Sequence, residues 1–409
     1  MPHQRRRHDD RQGGRAVAKQ SVRDVDVRGK RVLVRVDFNV PLDGTRITDD
    51  TRIRAAVPTI QYLIGQGAKT ALISHLGRPD GKPSDKYRLE PVADRLTQLL
   101  GRPVLYLREC VGAEVERAIA DMAEGGVALL ENVRFHAEEE KNDPAFAEQL
   151  ARLADVYVND AFGTAHRAHA STEGVAHHLP AVAGFLMQKE IDTMERALAN
   201  PERPFVAIIG GAKVSDKIGV LDNLLSKVNA LLIGGGMANT FLVAIGCSIG
   251  QSLVEQDKVP EARRLISEAD KRKVQLMLPR DVVIGSAFAN DAERKTVTCQ
   301  ETPPEWRIMD IGPTTVKEYS DVITKAGTVV WNGPMGVFEM DNFADGTRGV
   351  ATAVAACRGL TIVGGGDSVA AIEQAGLADQ ITHVSTGGGA TLELLEGRTL
   401  PGVAALRDN

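Results

Sequence analysis

From about residue 30 to its end, the chain alternates between two hydrophobic patterns. One is a short run of β-branched and aliphatic residues. The other is a longer stretch in which apolar residues recur every three or four positions, the spacing of one helix face. The short runs predict strands. In the first half they are RVLVRVDF (31–38), KTALISH (69–75), PVLYL (103–107), VALLENV (127–133) and DVYVNDA (155–161). In the second they are FVAIIGG (205–211), ALLIGGG (230–236), VQLMLP (274–279), TVVWNG (328–333), TIVGGG (361–366) and ITHVST (381–386). Helical stretches, such as 49–67 and 89–101, lie between them. Strand, crossover helix and strand, repeated this often, predict an α/β protein whose parallel sheets carry helices on both faces. Ligands of such sheets bind at the carboxyl ends of the strands, so chemistry is expected where each run closes.

The alternation breaks near 180–205, where a loop, one amphipathic helix and a Pro-bounded turn follow each other. The expected organisation is a lobe over 21–184, a hinge helix over 185–204 and a second lobe over 205–395. A length of 409 residues suits two such domains. Residues 1–20 are basic, lack the apolar core of a secretory signal and read as a disordered tail. A net charge of −5 argues against nucleic acid as the main partner. No run of 18 apolar residues is present, so no membrane-spanning helix is expected. Cys110, Cys247, Cys299 and Cys357 stand far apart, without zinc spacing. Reduced thiols in a cytoplasmic protein are the expected reading.

Candidate chemistry differs between the halves. In the first, basic residues follow strand ends: Arg52, then His75 and Arg78 in SHLGRP, Arg134 and His136 in ENVRFH, and His166, Arg167 and His169 in GTAHRAHAS. Loops that bring Arg and His to one sheet edge make a pocket for carboxylate or phosphate. Asp37 and Asn39 close the first strand, and Asp37 is placed to orient an Arg. In the second half, glycines gather at strand ends. GGAKVSDK (210–217) is read as opening a helix, with Lys213 and Lys217 one turn apart on one face. GGGMAN (234–239) does not complete a dinucleotide fingerprint. GGGDS (364–368) sets Asp367 where a carboxylate holds Mg²⁺ beside phosphates. STGGGA (385–390) is a further N–H cradle, and Glu339 in WNGPMGVFE is a candidate for ribose hydroxyls. Phosphoryl transfer between the lobes, an anion-binding module and a dehydrogenase are all open at this point.

Taken together, these stretches resemble phosphoglycerate kinase. The matching segments are VRVDFNVP (34–41), ITDDTRIRAA (47–56), SHLGRP (74–79), LLENVRFH (129–136), DAFGTAHRAHAS (160–171), GGAKVSDK (210–217), GGGMANTF (234–241), WNGPMGVFE (331–339), GGGDS (364–368) and STGGGATLELLEG (385–397). They stand in the family's order over about residues 21–406; the basic tail is extra, and Ser368 stands where many members carry Thr. The resemblance implies two Rossmann-like lobes joined by a hinge helix, with 396–409 returning to the first lobe. It implies reversible transfer from 1,3-bisphosphoglycerate to ADP, giving 3-phosphoglycerate and ATP. The transfer would be in line, with lobe closure and no covalent enzyme intermediate. Carried over by motif, the glycerate ligand would meet Asp37, Asn39, Arg52, His75, Leu76, Gly77, Arg78, Arg134 and Arg167. The nucleotide would meet Lys213, Lys217, Gly236, Gly312, Asn332, Glu339, Gly365, Gly366, Asp367 and Ser368, with Asp367 on Mg²⁺. Arg52, Lys213 and Gly388 would act on the moving phosphoryl group. A cytoplasmic monomer acting on small molecules, with no nucleic-acid or membrane partner, is the matching expectation.

Overall fold

The computed structural model describes residues 18–409. Two six-stranded sheets carry the chain, and every pairing within them is parallel. Across the first sheet the strands run Leu105–Tyr106, Val127–Leu129, Lys69–Ile73, Arg31–Arg35, Val156–Asn159 and Ala181–Ala183. Burial on both faces explains why Val32, Leu33 and Val34 of Arg31–Arg35 follow one another without polar alternation. Leu33 faces one core, against Phe146 and Leu150 of the helix Pro144–Ala151. Val32 and Val34 face the other, against Ile53, Ile60 and Leu63 of the helix Thr51–Gly65.

The second sheet runs Gln275–Met277, Ala230–Ile233, Phe205–Ile209, Thr328–Asn332, Leu360–Gly364 and His383–Val384. Its faces are covered in the same way, by Ile218–Leu225 on one side and Asp345–Ala356 on the other. In both sheets the strand order reverses beside the first strand, which opens a crevice at the carboxyl edge. Two small sheets depart from the all-parallel expectation: Leu42–Asp43 pairs antiparallel with Arg46–Ile47, and a three-stranded sheet lies in the second lobe. Asp281–Gly285 pairs antiparallel with Arg294–Thr298 and Arg307–Ile311. Arg294–Thr298 is almost wholly solvent-facing, so it carries no apolar run to betray it.

The helix Phe185–Ala199 links the lobes through one buried stripe. Met187 and Ile191 belong to the first lobe's core, and Met194 and Ala197 to the second's. Its start is capped from a distance: Asp160 accepts from the N–H of Leu186 and Met187 at 2.9 and 3.2 Å, and Thr59 Oγ1 accepts from Phe185 N–H at 3.0 Å. The chain's end lies on the first lobe, where Leu400 and Leu406 join the core and Gly402 N–H donates to Ala165 O at 2.8 Å. Of the stretch read as a tail, residues 1–17 lie outside the described residues. Gln20 N–H donates to Arg407 O at 2.9 Å, and Lys19 pairs with Asp408 at 2.7 Å.

Candidate active site

A cavity of about 300 Å³ opens at the carboxyl edge of the first sheet. It is walled by Asp37, Asn39, Arg52, His75, Gly77, Arg78, Arg134, His166 and Arg167, and closed on one side by Thr386–Gly389 of the other lobe. The four loops singled out by their basic residues therefore meet, and Gly388 meets them. Arg52 Nη1 donates to Asp37 Oδ2 at 3.1 Å and to Asn39 O at 3.2 Å, which aims the guanidinium. Asn39 Oδ1 accepts from Gly77 N–H at 2.9 Å and ties two loops together. Gly77 has φ +63°, and a Cβ there would strike the Tyr87 ring. Arg134 is buried and donates to Gly77 O at 2.9 Å. Arg167 Nε donates to His166 Nε2 at 3.2 Å. Arg78 is exposed, and among the described residues its side chain makes no hydrogen bond. Leu76 lines no part of this cavity. Its side chain is core, and its carbonyl accepts from Asn132 Nδ2 at 2.8 Å.

Beneath the cavity is a layer that the strand-end reading does not reach. Arg35, 1% exposed, donates through Nε to Ser171 Oγ at 2.9 Å, through Nη1 to Val36 O, and through Nη2 to His75 Nδ1 at 3.1 Å. Ser171 in turn donates through Oγ to Glu139 Oε1 at 2.6 Å and through N–H to Oε2 at 2.8 Å. A guanidinium can only donate, so His75 Nδ1 accepts and the imidazole is neutral with its proton on Nε2. Burial first, then the charges of Arg35, Arg134, Arg167 and Arg52, hold its pKa well below the usual value. The one available signal for Arg35 was a charge inside an apolar strand.

His169 feels the same field. Burial and then Arg134, Arg35 and Arg167 push it down to about 4. An unfolded imidazole titrates near 6.5, so between these values the unfolded chain binds a proton that the folded chain refuses. The stability that neutral His169 contributes is complete above about pH 6.5 and is lost as pH falls toward 4. His169→Gln is expected to flatten the fall in urea midpoint between roughly pH 7 and pH 5. An unchanged slope would assign the acid sensitivity to another group.

A second cavity, about 360 Å³, lies at the strand-order reversal of the second sheet. Gly236, Glu339 and Asp367 line it, with Gly211, Pro334 and Met335 from neighbouring strand ends. Its outer wall is apolar and includes Leu253 and Phe288, which is 60% exposed. Nothing in the sequence around Phe288 singled it out. Asp310, also in the wall, is buried, accepts from Gly346 N–H at 2.6 Å and is pushed up to about 8 by burial.

The other residues expected on a nucleotide fall outside this lining. Asn332 donates to Gly364 O at 2.9 Å, and Ser368 Oγ accepts from Gly333 N–H at 2.6 Å, so both brace the loops. Gly365 has φ +93°, and a Cβ would sit 2.8 Å from Asn332 Nδ2. Gly366 begins the helix Gly366–Gln374, and Gly312 caps Pro313–Ile323 against Asp281. Lys217 Nζ donates to Asn332 Oδ1, and burial lowers its pKa. The helix read over GGAKVSDK starts later than expected. It spans Ile218–Leu225, so Lys213 lies in the preceding loop and does not share a helix face with Lys217. Val214 is buried in the second core and pins the loop in place of a helical turn. Lys213 is exposed and lines neither cavity.

A buried carboxylate of the linking helix holds the loop that closes the cavity. Glu190 of the linking helix is 1% exposed. Its Oε1 accepts from Thr386 N–H at 2.7 Å and Thr386 Oγ1 at 2.9 Å. Its Oε2 accepts from His383 Nε2 at 2.7 Å and Ser385 Oγ at 2.9 Å. The loop that carries Gly387–Gly389 over the Arg pocket is thus held by the hinge helix itself.

The phosphoglycerate kinase family profile matches residues 22–398. A phosphoglycerate kinase of Moorella thermoacetica is 62% identical over 392 residues, covering 96% of this chain and 100% of its own. One from Roseiflexus sp. (strain RS-1) is 61% identical over 394 residues, with 96% and 100% covered. Among solved structures, the phosphoglycerate kinase of Coxiella burnetii superposes with a TM-score of 0.88 at 43% identity, covering 95% of this chain and 98% of that one. That of Pyrococcus horikoshii OT3 gives 0.82 at 35% identity, with 95% and 98% covered. Ordered motifs, two parallel-sheet lobes and near-complete matches in sequence and structure agree: the chain belongs to the phosphoglycerate kinase family.

Proposed function

We propose that the two cavities are the half-sites of the family's reaction, reversible phosphoryl transfer from 1,3-bisphosphoglycerate to ADP. The observation that carries this is the meeting of Arg52, Arg134 and Arg167 with the Gly387–Gly389 loop of the other lobe around one anion-sized cavity. The division of labour follows the lobes: 21–184 takes the glycerate, 205–395 the nucleotide, 185–204 acts as the hinge, and 396–409 belongs with the first lobe. Arg78, Arg134 and Arg167 bind the terminal phosphate and carboxylate, and neutral His75 donates through Nε2. Asp37 and Asn39 hold Arg52 toward the reacting acyl phosphate. On the other lobe, the apolar wall with Phe288 and Leu253 takes the base, and Glu339 takes the ribose.

An acyl phosphate is already an activated donor, so the protein needs no nucleophile of its own. What the reaction needs is in-line placement and neutralisation of charge on the moving group. Arg52 and the N–H groups of Gly388 and Gly389 supply this from the described cavity, the Gly387 N–H being spent on Ser385 Oγ at 3.1 Å, and Lys213 supplies it once the lobes close. Closure also expels water, which would otherwise hydrolyse the acyl phosphate.

Mg²⁺ fits the donor set at Asp367. Its carboxylate lies in the first turn of Gly366–Gln374, is exposed, and among the described residues accepts no hydrogen bond and makes no ion pair. No cluster of three His, Cys, Asp or Glu stands ready as a cage among the described residues. A single carboxylate completed by nucleotide phosphates is the usual pattern for this ion. Bound there, Mg²⁺ would neutralise the nucleotide's phosphate charge. Asp367→Ala should weaken Mg-ADP far more than metal-free ADP in calorimetry, and equal losses would remove Asp367 from the metal.

The test of the anion pocket is kinetic. Arg78→Ala, Arg134→Ala and Arg167→Ala should each raise the KM for 3-phosphoglycerate roughly tenfold to a hundredfold, the worth of a charged hydrogen bond. Unchanged KM in all three would sink the assignment. A monomer acting in the cytoplasm on small molecules, without nucleic-acid or membrane partners, completes the reading. Among the described residues no helix is long and apolar enough to cross a membrane.

A further inference from the structure

Two cysteines that phosphoryl transfer does not use meet in the second lobe. Cys247 Sγ lies 3.1 Å from Cys299 Sγ across 52 residues of sequence, and both are free thiols. Cys247 is buried just beyond the helix Met237–Ala244, and its N–H donates to Leu242 O at 2.9 Å. Cys299 is half-buried just beyond the strand Arg294–Thr298, and its N–H donates to Arg280 O at 3.0 Å. Each backbone is therefore anchored where it stands. The two side chains meet in one small apolar cluster with Leu242 and Val282. Those same two residues form part of the wall of the second cavity.

We propose that Cys247 and Cys299 are a thiol–disulfide switch that stiffens this wall when oxidised by a small-molecule disulfide. The sulfurs must approach from 3.1 Å to the disulfide length of about 2.05 Å, a movement of about one ångström. Cys299 is the accessible partner and loses its proton to solvent. Its sulfur attacks one sulfur of the external disulfide; that S–S bond breaks, and one external thiol leaves carrying the proton. Cys247 then loses its proton, attacks Cys299 Sγ in the mixed disulfide and displaces the second external thiol. Two protein thiols are oxidised by two electrons, and the external disulfide is reduced to two thiols. Burial and the neighbouring Cys299 raise the Cys247 thiol to about 12, which fits its place as the second, resolving sulfur.

The experiment incubates the full-length protein with oxidised glutathione, blocks residual thiols, and maps peptides by mass spectrometry. Thermal melting and Mg-ADP affinity are measured on the same samples. The expected product is a Cys247–Cys299 cross-linked peptide, reversed by dithiothreitol, with a melting temperature raised by roughly 5 °C. Mg-ADP affinity should change at least about twofold, given that Leu242 and Val282 are held from behind. Cys299→Ser and Cys247→Ala should each abolish the cross-link and both shifts. A glutathione adduct on Cys299 without the cross-link overturns the proposal, as does a native pair that stays reduced while a urea-unfolded control is oxidised. A cross-link that leaves melting unchanged overturns the stiffening. The affinity arm alone rests on reading the second cavity as the nucleotide site, so its failure beside a positive melting shift indicts that reading and not the switch.

Discussion

Arg52→Ala is expected to lower kcat roughly a thousandfold while the KM for 3-phosphoglycerate moves less than about threefold. The reason lies in how Arg52 is held. Its Nη1 is engaged by Asp37 and Asn39, while the side chain stays 43% exposed and lines the cavity. A charge oriented by its own lobe and presented to the cavity acts best on charge that develops as the phosphoryl group moves. Lys213→Ala should behave alike under the proposed mechanism, in which Lys213 acts on the moving group from the other lobe. Arg52→Lys should recover little, since a point charge cannot replace a planar fork held by two acceptors. Steady-state kinetics decide the matter. A variant that keeps near-normal kcat and loses only KM marks its residue as a ground-state binder.

Glu190→Ala should be the most damaging change away from either cavity. It removes the acceptor from buried His383 and from both donors of half-buried Thr386, and leaves Ser385 Oγ with Thr391 Oγ1 alone. Removing one partner of such a buried charged network costs about 3–5 kcal/mol. The same change releases the loop that brings Gly387–Gly389 over the Arg pocket, so kcat should fall at least about tenfold. Glu190→Gln separates the two effects. It keeps the shape but loses half of the acceptors, and should retain most of the stability while kcat still falls. If Glu190→Gln has wild-type kcat, the clamp serves folding alone.

The parallel sheets were legible because their strands are buried on both faces, which leaves a signal as plain as RVLVR or FVAII. The three-stranded antiparallel sheet was not, because Arg294–Thr298 buries too little to pattern its sequence. Arg52, Arg134 and Arg167 could be found because the fold delivers strand ends to one edge, and Gly runs point there too. What escaped was whatever acts from beneath or from afar. Arg35 is hidden inside a strand, Glu139 and Ser171 carry no spacing that sets them apart, and Glu190 looks like any charged residue of an amphipathic helix. Their roles depend on contacts across 32 to 196 residues, which no local spacing records. Lys213 shows the opposite limit. Its motif was plain, but the helix start was misplaced because buried Val214 outweighs the local pattern.

The returning carboxyl terminus reverses the order in which a ribosome would be expected to finish this chain. Leu400 and Leu406 fill the core of the lobe that is synthesised first. Arg407 N–H donates to Ala181 O at 3.0 Å, beside the outermost strand of that lobe's sheet, Ala181–Ala183. Until residues 400–407 emerge, that rim of the sheet lacks its last cover, while the second lobe already has all its strands. A nascent chain therefore completes its later lobe first and carries an earlier one whose core still lacks Leu400 and Leu406, although residues 20–22 already pair with its outermost strand. Chaperone protection during synthesis would matter most for the half that has been outside the ribosome longest.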